Sequence, residues 1–200
     1  ARQGEWSHWV RQSFTVGEHK PEALVDLPKI SALFRFRPII LDPDGGNYQI
    51  YLSPVYPQTD FADPPEVSRN LAERFGPYCD VLNISKLLMG WLDPEGLLDE
   101  FRMQGVWQAR AALELLQQGC AGVLTKWHAF DKFYHFFMNR IDPAGPTFDP
   151  ETFEHYEEIH QRILSIADEM VGIVLDGLDE DSFVFVLSDH GLLASRRHAW

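Results

Sequence analysis

Phe183-Val184-Phe185-Val186-Leu187-Ser188-Asp189-His190-Gly191 is the stretch from which the fold is read. An unbroken apolar run of strand length, bounded by Asp181-Ser182 and Ser188-Asp189, predicts a strand covered on both faces, as in a parallel α/β sheet. An Asp-His pair directly after such a strand stands where open α/β sheets bind ligands, outside the carboxyl ends of the strands. Gly191 is expected to let the backbone bend there without a Cβ penalty.

Toward the N-terminus the pattern turns helical. Asp149-Pro150 is a start signal, and Ile159, Ile163, Ile166, Met170 and Ile173 recur at helical spacing until Gly177. Phe130 to Arg140 predicts a shorter helix, and Ala121-Gly122-Val123-Leu124-Thr125 a short buried strand. Before these, a long helix opens at Asp93-Pro94-Glu95 and ends near Gly119, with Leu97, Phe101, Ala109, Leu113 and Leu116 on one face and Gly105 as a weak point inside it. Helix, strand, helix, helix, strand is the order of part of an α/β sandwich with a mostly parallel sheet, assigned to residues 96–200.

Residues 1–95 read differently, with Pro, Asp and Gly punctuation and few long periodic elements. Leu33-Phe34-Arg35-Phe36-Arg37 alternates apolar and basic residues, and Tyr48-Gln49-Ile50-Tyr51-Leu52 is again β-favouring. Between them, Asp42-Pro43-Asp44-Gly45-Gly46-Asn47 predicts the loop of a β-hairpin with one face covered. Pro54, Pro57, Pro64 and Pro65 forbid regular structure until a short helix from Glu66 to Phe75, closed by Gly76-Pro77. This half is expected to be an inserted accessory or lid region.

Composition narrows the function classes. The 200 residues carry 17 Lys plus Arg against 30 Asp plus Glu, a formal net charge of -13, and are 45% hydrophobic, which excludes a disordered chain. The acidic excess argues against strong nucleic-acid binding, which runs on clustered Lys and Arg. No apolar run approaches the roughly 20 residues of a membrane span, so the chain is expected to be soluble, with the cytoplasm slightly favoured. Cys79 and Cys120 match no metal spacing and are read as two ordinary thiols. Oligomeric state is not written in the sequence.

Chemistry concentrates in two places. In Trp127-His128-Ala129-Phe130-Asp131-Lys132-Phe133-Tyr134-His135, Asp131 and His135 are spaced to project from one helix face, where a carboxylate and an imidazole can hold a divalent cation. Asp189 and His190 supply a second such pair. Both segments follow apolar strands, and parallel strands would bring their carboxyl ends to the same sheet edge. Mixed N and O donors without thiolates are typical of catalytic zinc or manganese rather than structural zinc. Two such ions about 4 Å apart can clamp the attacking and leaving oxygens of a phosphoryl transfer.

Asp131-x-x-x-His135 followed by Ser188-Asp189-His190-Gly191 at a strand end resembles the alkaline phosphatase superfamily, in particular its type I phosphodiesterase/nucleotide pyrophosphatase branch. The chain is most similar to the prokaryotic members in which an insertion with Trp-Ser-x-Trp and a hairpin, here Trp6-Ser7-His8-Trp9 and Leu33 to Leu52, precedes the Asp-x-x-x-His helix. Tyr51-Leu52-Ser53-Pro54 fits the same pattern. The resemblance implies Asp131 and His135 on one metal and Asp189 and His190 on the other, zinc first and manganese second. It further implies a small phosphorylated substrate and hydrolysis of phosphate esters or phosphodiesters. Family members complete the sites with a late His, for which His198 is a weak candidate, and with an Asp and a nucleophilic Thr or Ser upstream. No such upstream pair is found, so the chain is expected to be an internal fragment, weak in metal binding and inactive alone, with its nucleophile upstream of Ala1.

Three alternatives remain open. A sulfatase relative would typically have Asn in place of His190 and a single calcium, a phosphoglycerate-mutase relative would favour manganese and a sugar phosphate, and a degenerate domain would serve as a non-catalytic interaction module. Other conspicuous residues carry less. His155 and His160 share no helix face and are read as surface histidines, Arg35 and Arg37 as a solvated strand face, and the six tryptophans as dispersed core or cap contacts. Asp176, Asp179, Glu180 and Asp181 read as a solvated turn.

Overall fold

The computed structural model describes residues 1–15, 29–59, 61–79, 82 and 84–194. The chain is mixed α/β and divides into two compact units, Ala1–Val81 and Leu82–Trp200.

In the first unit, strands β1 (Val10–Thr15), β2 (Lys29–Phe34) and β5 (Tyr56–Pro57) form an antiparallel sheet in the order β1-β2-β5. A second antiparallel pair joins β3 (Phe36–Leu41) to β4 (Tyr48–Leu52), with Phe36 opposite Leu52 and Leu41 opposite Tyr48. This is the expected hairpin, closed by the 42–47 loop, where Asp42 N donates to Asn47 O and Gly45 takes φ 72°. The expected first strand is broken at Arg35, because that residue is diverted inward. Its guanidinium carbon lies 3.9 Å from the ring centroid of Trp6 and 5.0 Å from that of Trp9, and Arg37 beside it is only 4% exposed. Arg35 and Arg37 are therefore not a solvated strand face. Aromatic faces attract guanidinium through the ring quadrupole, and two tryptophans shield the charge from water.

The Trp-Ser-x-Trp segment explains the break further. Ser7 Oγ accepts a hydrogen bond from Phe36 N at 3.0 Å, and Ser53 Oγ accepts one from Arg35 N at 3.0 Å. Both hydroxyls satisfy backbone donors that leave the ladder where the strand changes sheet. Trp6 meets Tyr51 edge-on, covering the inner face of β4, while Tyr48, Ile50 and Leu52 on the other face are exposed. Helix α1 (Pro65–Phe75) ends at Gly76, whose φ of 83° favours glycine, and Gly76 N donates to Ala72 O.

The second unit is built from the short α2 (Ser85–Leu88) and from α3 (Pro94–Gln117), α4 (Ala129–Ile141) and α5 (Pro150–Gly177). Asp93 caps α3 by accepting from Gly96 N at 2.7 Å, and Asp149 caps α5 by accepting from Glu151 N at 3.0 Å. Proline at the first helical position fits both starts. The apolar face of α3 is buried at Leu97, Phe101 and Ala109, and that of α5 at Ile159, Ile163 and Ile166. Full burial of each Leu, Phe or Ile contributes about 1.5–3 kcal/mol.

Helices α3 and α5 run parallel. Arg162 pairs with Glu95, and about two turns further along both helices Arg102 pairs with Glu169, each through two hydrogen bonds. Gly105 is not a weak point. A Cβ there would lie 3.0 Å from Met170 Cγ and closer still to its Sδ, so glycine permits close approach of the two helices. Helix α4 packs antiparallel on α5, with Phe137 stacked on Tyr156 at 4.8 Å and Phe133 stacked on His160 at 5.8 Å. His160 is thus a packed contact and not a surface histidine. Its Nε2 is 2.9 Å from the Tyr134 hydroxyl, whereas His155 is exposed as expected. Burial, with the charge of Glu157, raises the Tyr134 hydroxyl above its usual pKa.

Two sequence expectations are corrected. The segments 121–125 and 183–187 are in no sheet among the described residues. Their side chains face water, with Leu124 97%, Phe183 88% and Leu187 86% exposed. Their apolar composition suits a covered strand, but a ladder needs a partner strand, and all the sheets described are antiparallel and belong to the first unit. Cys79 is buried and Cys120 exposed, neither in a disulfide, and among the described residues no helix is long and apolar enough to cross a membrane.

Candidate metal centre

Helix α4 begins immediately after His128 and places Asp131 in its first turn, with His135 one turn on. The spacing does what helical geometry requires, and Asp131 Oδ1 lies 3.1 Å from His135 Nε2. Asp131 is the less exposed of the two, its side chain 24% exposed against 57% for His135.

The second pair is shaped by a turn after the 183–187 segment. Ser188 Oγ donates to His190 O at 2.7 Å, and His190 Nδ1 lies 3.2 Å from Gly191 O. A carbonyl oxygen can only accept, so this contact places an N–H on Nδ1 and leaves Nε2 as the ring atom that faces the neighbouring carboxylates. Gly191 does not have the expected role. It has neither a positive φ nor a neighbour within 4 Å of a Cβ built on it, so the hydroxyl of Ser188 and not the glycine shapes the turn.

The two pairs meet. His190 Nε2 lies 3.9 Å from Asp131 Oδ1 and 3.8 Å from Asp189 Oδ1. The four residues form a chain of contacts, Asp189 to His190 to Asp131 to His135, in which His190 is as near Asp131 as it is to its own neighbour. Donors bound about 2.0–2.2 Å from a common cation lie roughly 3–4 Å apart, and the Asp131–His135 and Asp189–His190 pairs each fall in that range. Among the described residues, however, no three or more His, Cys, Asp or Glu side chains close into a group that could hold a metal ion. The donor chemistry and spacing fit divalent cations, while the coordination shells are incomplete. His198 lies outside the described residues.

Sequence reasoning missed one member of the cluster. Lys126 Nζ donates to Asp189 Oδ2 at 2.6 Å, across 63 positions of sequence. This hydrogen bond, with the charge of the same ammonium, holds the Asp189 carboxyl below the usual carboxylate range. Lys126 directly follows the apolar 121–125 segment, much as Asp189 follows 183–187, and that symmetry is the signal that marks it. No known protein family, curated protein or solved structure matches this chain.

Proposed function

We propose that the chain forms part of the catalytic domain of a metal-dependent hydrolase of phosphate esters or phosphodiesters. Asp131 and His135 serve one divalent ion and Asp189 and His190 a second, zinc in preference to manganese. One observation carries this reading: motifs far apart in sequence, each an Asp and a His, lie in contact through Asp131 and His190. When bound, such ions supply Lewis acidity toward phosphoryl oxygens. The chain's own residues orient the donors. Ser188 holds the turn, Gly191 O orients the His190 ring, and α4 holds Asp131 against His135.

Ser188 is engaged in that turn, so the attacking hydroxyl is assigned to sequence outside residues 1–200, together with the remaining ligands. The same assignment accounts for the exposed apolar segments 121–125 and 183–187. Each follows one of two parallel helices, α3 and α5, and side chains at their carboxyl ends touch through Lys126 and Asp189. Neighbouring parallel strands covered by parallel helices are the arrangement of an alkaline-phosphatase-like sandwich, and further strands would supply the missing ladder.

The test is hydrolysis of a bis-nitrophenyl phosphodiester by the product of the full reading frame with Zn2+ or Mn2+. The reading expects metal-dependent turnover that falls about 100-fold or more in Asp189→Ala, on the scale by which metal-site residues act. Absence of turnover, or an Asp189→Ala protein with unchanged turnover, overturns it.

A further inference from the structure

We propose that Lys126 is a built-in counter-ion of the centre, holding Asp189 in place until a divalent cation displaces it; this rests on the metal-site reading above. The Asp189 carboxylate is divided between two partners. Oδ2 accepts from Lys126 Nζ at 2.6 Å, and Oδ1 faces His190 Nε2 at 3.8 Å. The ammonium therefore occupies one oxygen of the same carboxylate whose other oxygen faces the donor cluster.

Both side chains are more than half exposed, at 57% and 56%. An exposed ion pair is weak, being screened by water and opposed by side-chain entropy, so it can order the carboxylate without locking it. A divalent ion brings twice the charge to the same oxygens and removes the ammonium from them. Lys126 thus acts as a positioning residue through Asp189, and it competes directly with the metal. A lysine that merely supported the fold would weaken metal binding on removal. A competing counter-ion makes binding tighter when removed.

Titration of Mn2+ into the product of the full reading frame by calorimetry distinguishes these roles. Lys126→Met is expected to bind Mn2+ about two- to fivefold more tightly than the wild type, the scale of an exposed ion pair. Lys126→Arg, which keeps the charge, is expected to restore wild-type affinity. In an Asp189→Ala background, Lys126→Met is expected to lose the tightening. Equal or weaker binding by Lys126→Met overturns the inference and leaves the metal centre standing. An absence of saturable binding in both the wild type and Lys126→Met overturns the inference and the metal centre together.

Discussion

Asp131 Oδ1 lies 3.9 Å from His190 Nε2, and this contact joins the helix α4 motif to the turn after the 183–187 segment. His190 Nδ1 lies 3.2 Å from Gly191 O, so Nε2 is the ring atom turned toward the carboxylate. Lys126 brings a positive charge to the same cluster, donating to Asp189 Oδ2 at 2.6 Å.

Gly105→Ala tests the close passage of α3 and α5. Helix propensity alone favours alanine by about 1 kcal/mol. The added Cβ meets Met170, and overpacking of this kind costs about 1–3 kcal/mol, so the substitution is expected to destabilise or at best to break even. Denaturant unfolding of Gly105→Ala, Met170→Ala and the double variant measures the coupling. The account predicts that Met170→Ala relieves the penalty of Gly105→Ala. Strict additivity contradicts it.

Ser7→Ala tests the strand break at Arg35. It leaves Phe36 N without its side-chain acceptor, and a buried donor left unsatisfied costs about 1–3 kcal/mol, here toward the low end because the bond is only partly buried. Thermal unfolding is the check, and an unchanged midpoint contradicts the assigned role.

Lys86 gives a pH dependence with a definite sign. Burial lowers its pKa below the usual lysine value, and the charge of Glu100 opposes that shift only in part. Between the lowered folded-state pKa and the unfolded value near about 10.4, the unfolded chain binds more protons, so this group makes stability rise with pH through that window. Below it, the cost of the buried charge is fully present. Lys86→Met removes that cost. Its stability advantage over the wild type is expected at neutral pH and to shrink as pH climbs through the window. Paired thermal melts read the difference, and a gap independent of pH contradicts the prediction.

Phe183 and Phe185 are 88% and 79% exposed, so replacing both with Ser is expected to leave the unfolding free energy of the 200-residue chain unchanged and to reduce self-association. A loss of several kcal/mol, the usual cost of emptying a buried aromatic site, shows instead that the segment is covered.

The helices were legible because their signals are local. Asp93 and Asp149 cap with proline beside them, Gly76 ends α1, and the isoleucines of α5 repeat at helical spacing. The Asp131 and His135 contact follows from the same periodicity. Strand composition at 183–187 was equally visible, but pairing is a relation to another segment, and composition cannot supply that segment. Arg35 looked solvated because its partners, Trp6 and Trp9, are distant in sequence. Gly105 looked weak and His160 looked superficial for the same reason, since Met170 and Phe133 are tertiary neighbours. Lys126 carries no motif of its own and shows its place only once Asp189 is beside it.

The most direct measurement is calorimetric titration of Zn2+ into the product of the full reading frame as wild type, Asp131→Ala and His190→Ala, with circular dichroism to show that each variant is folded. The account predicts saturable binding by the wild type that either substitution weakens tenfold or more, because the two motifs share one centre. Absence of saturable binding, or affinity unchanged by both substitutions, contradicts it.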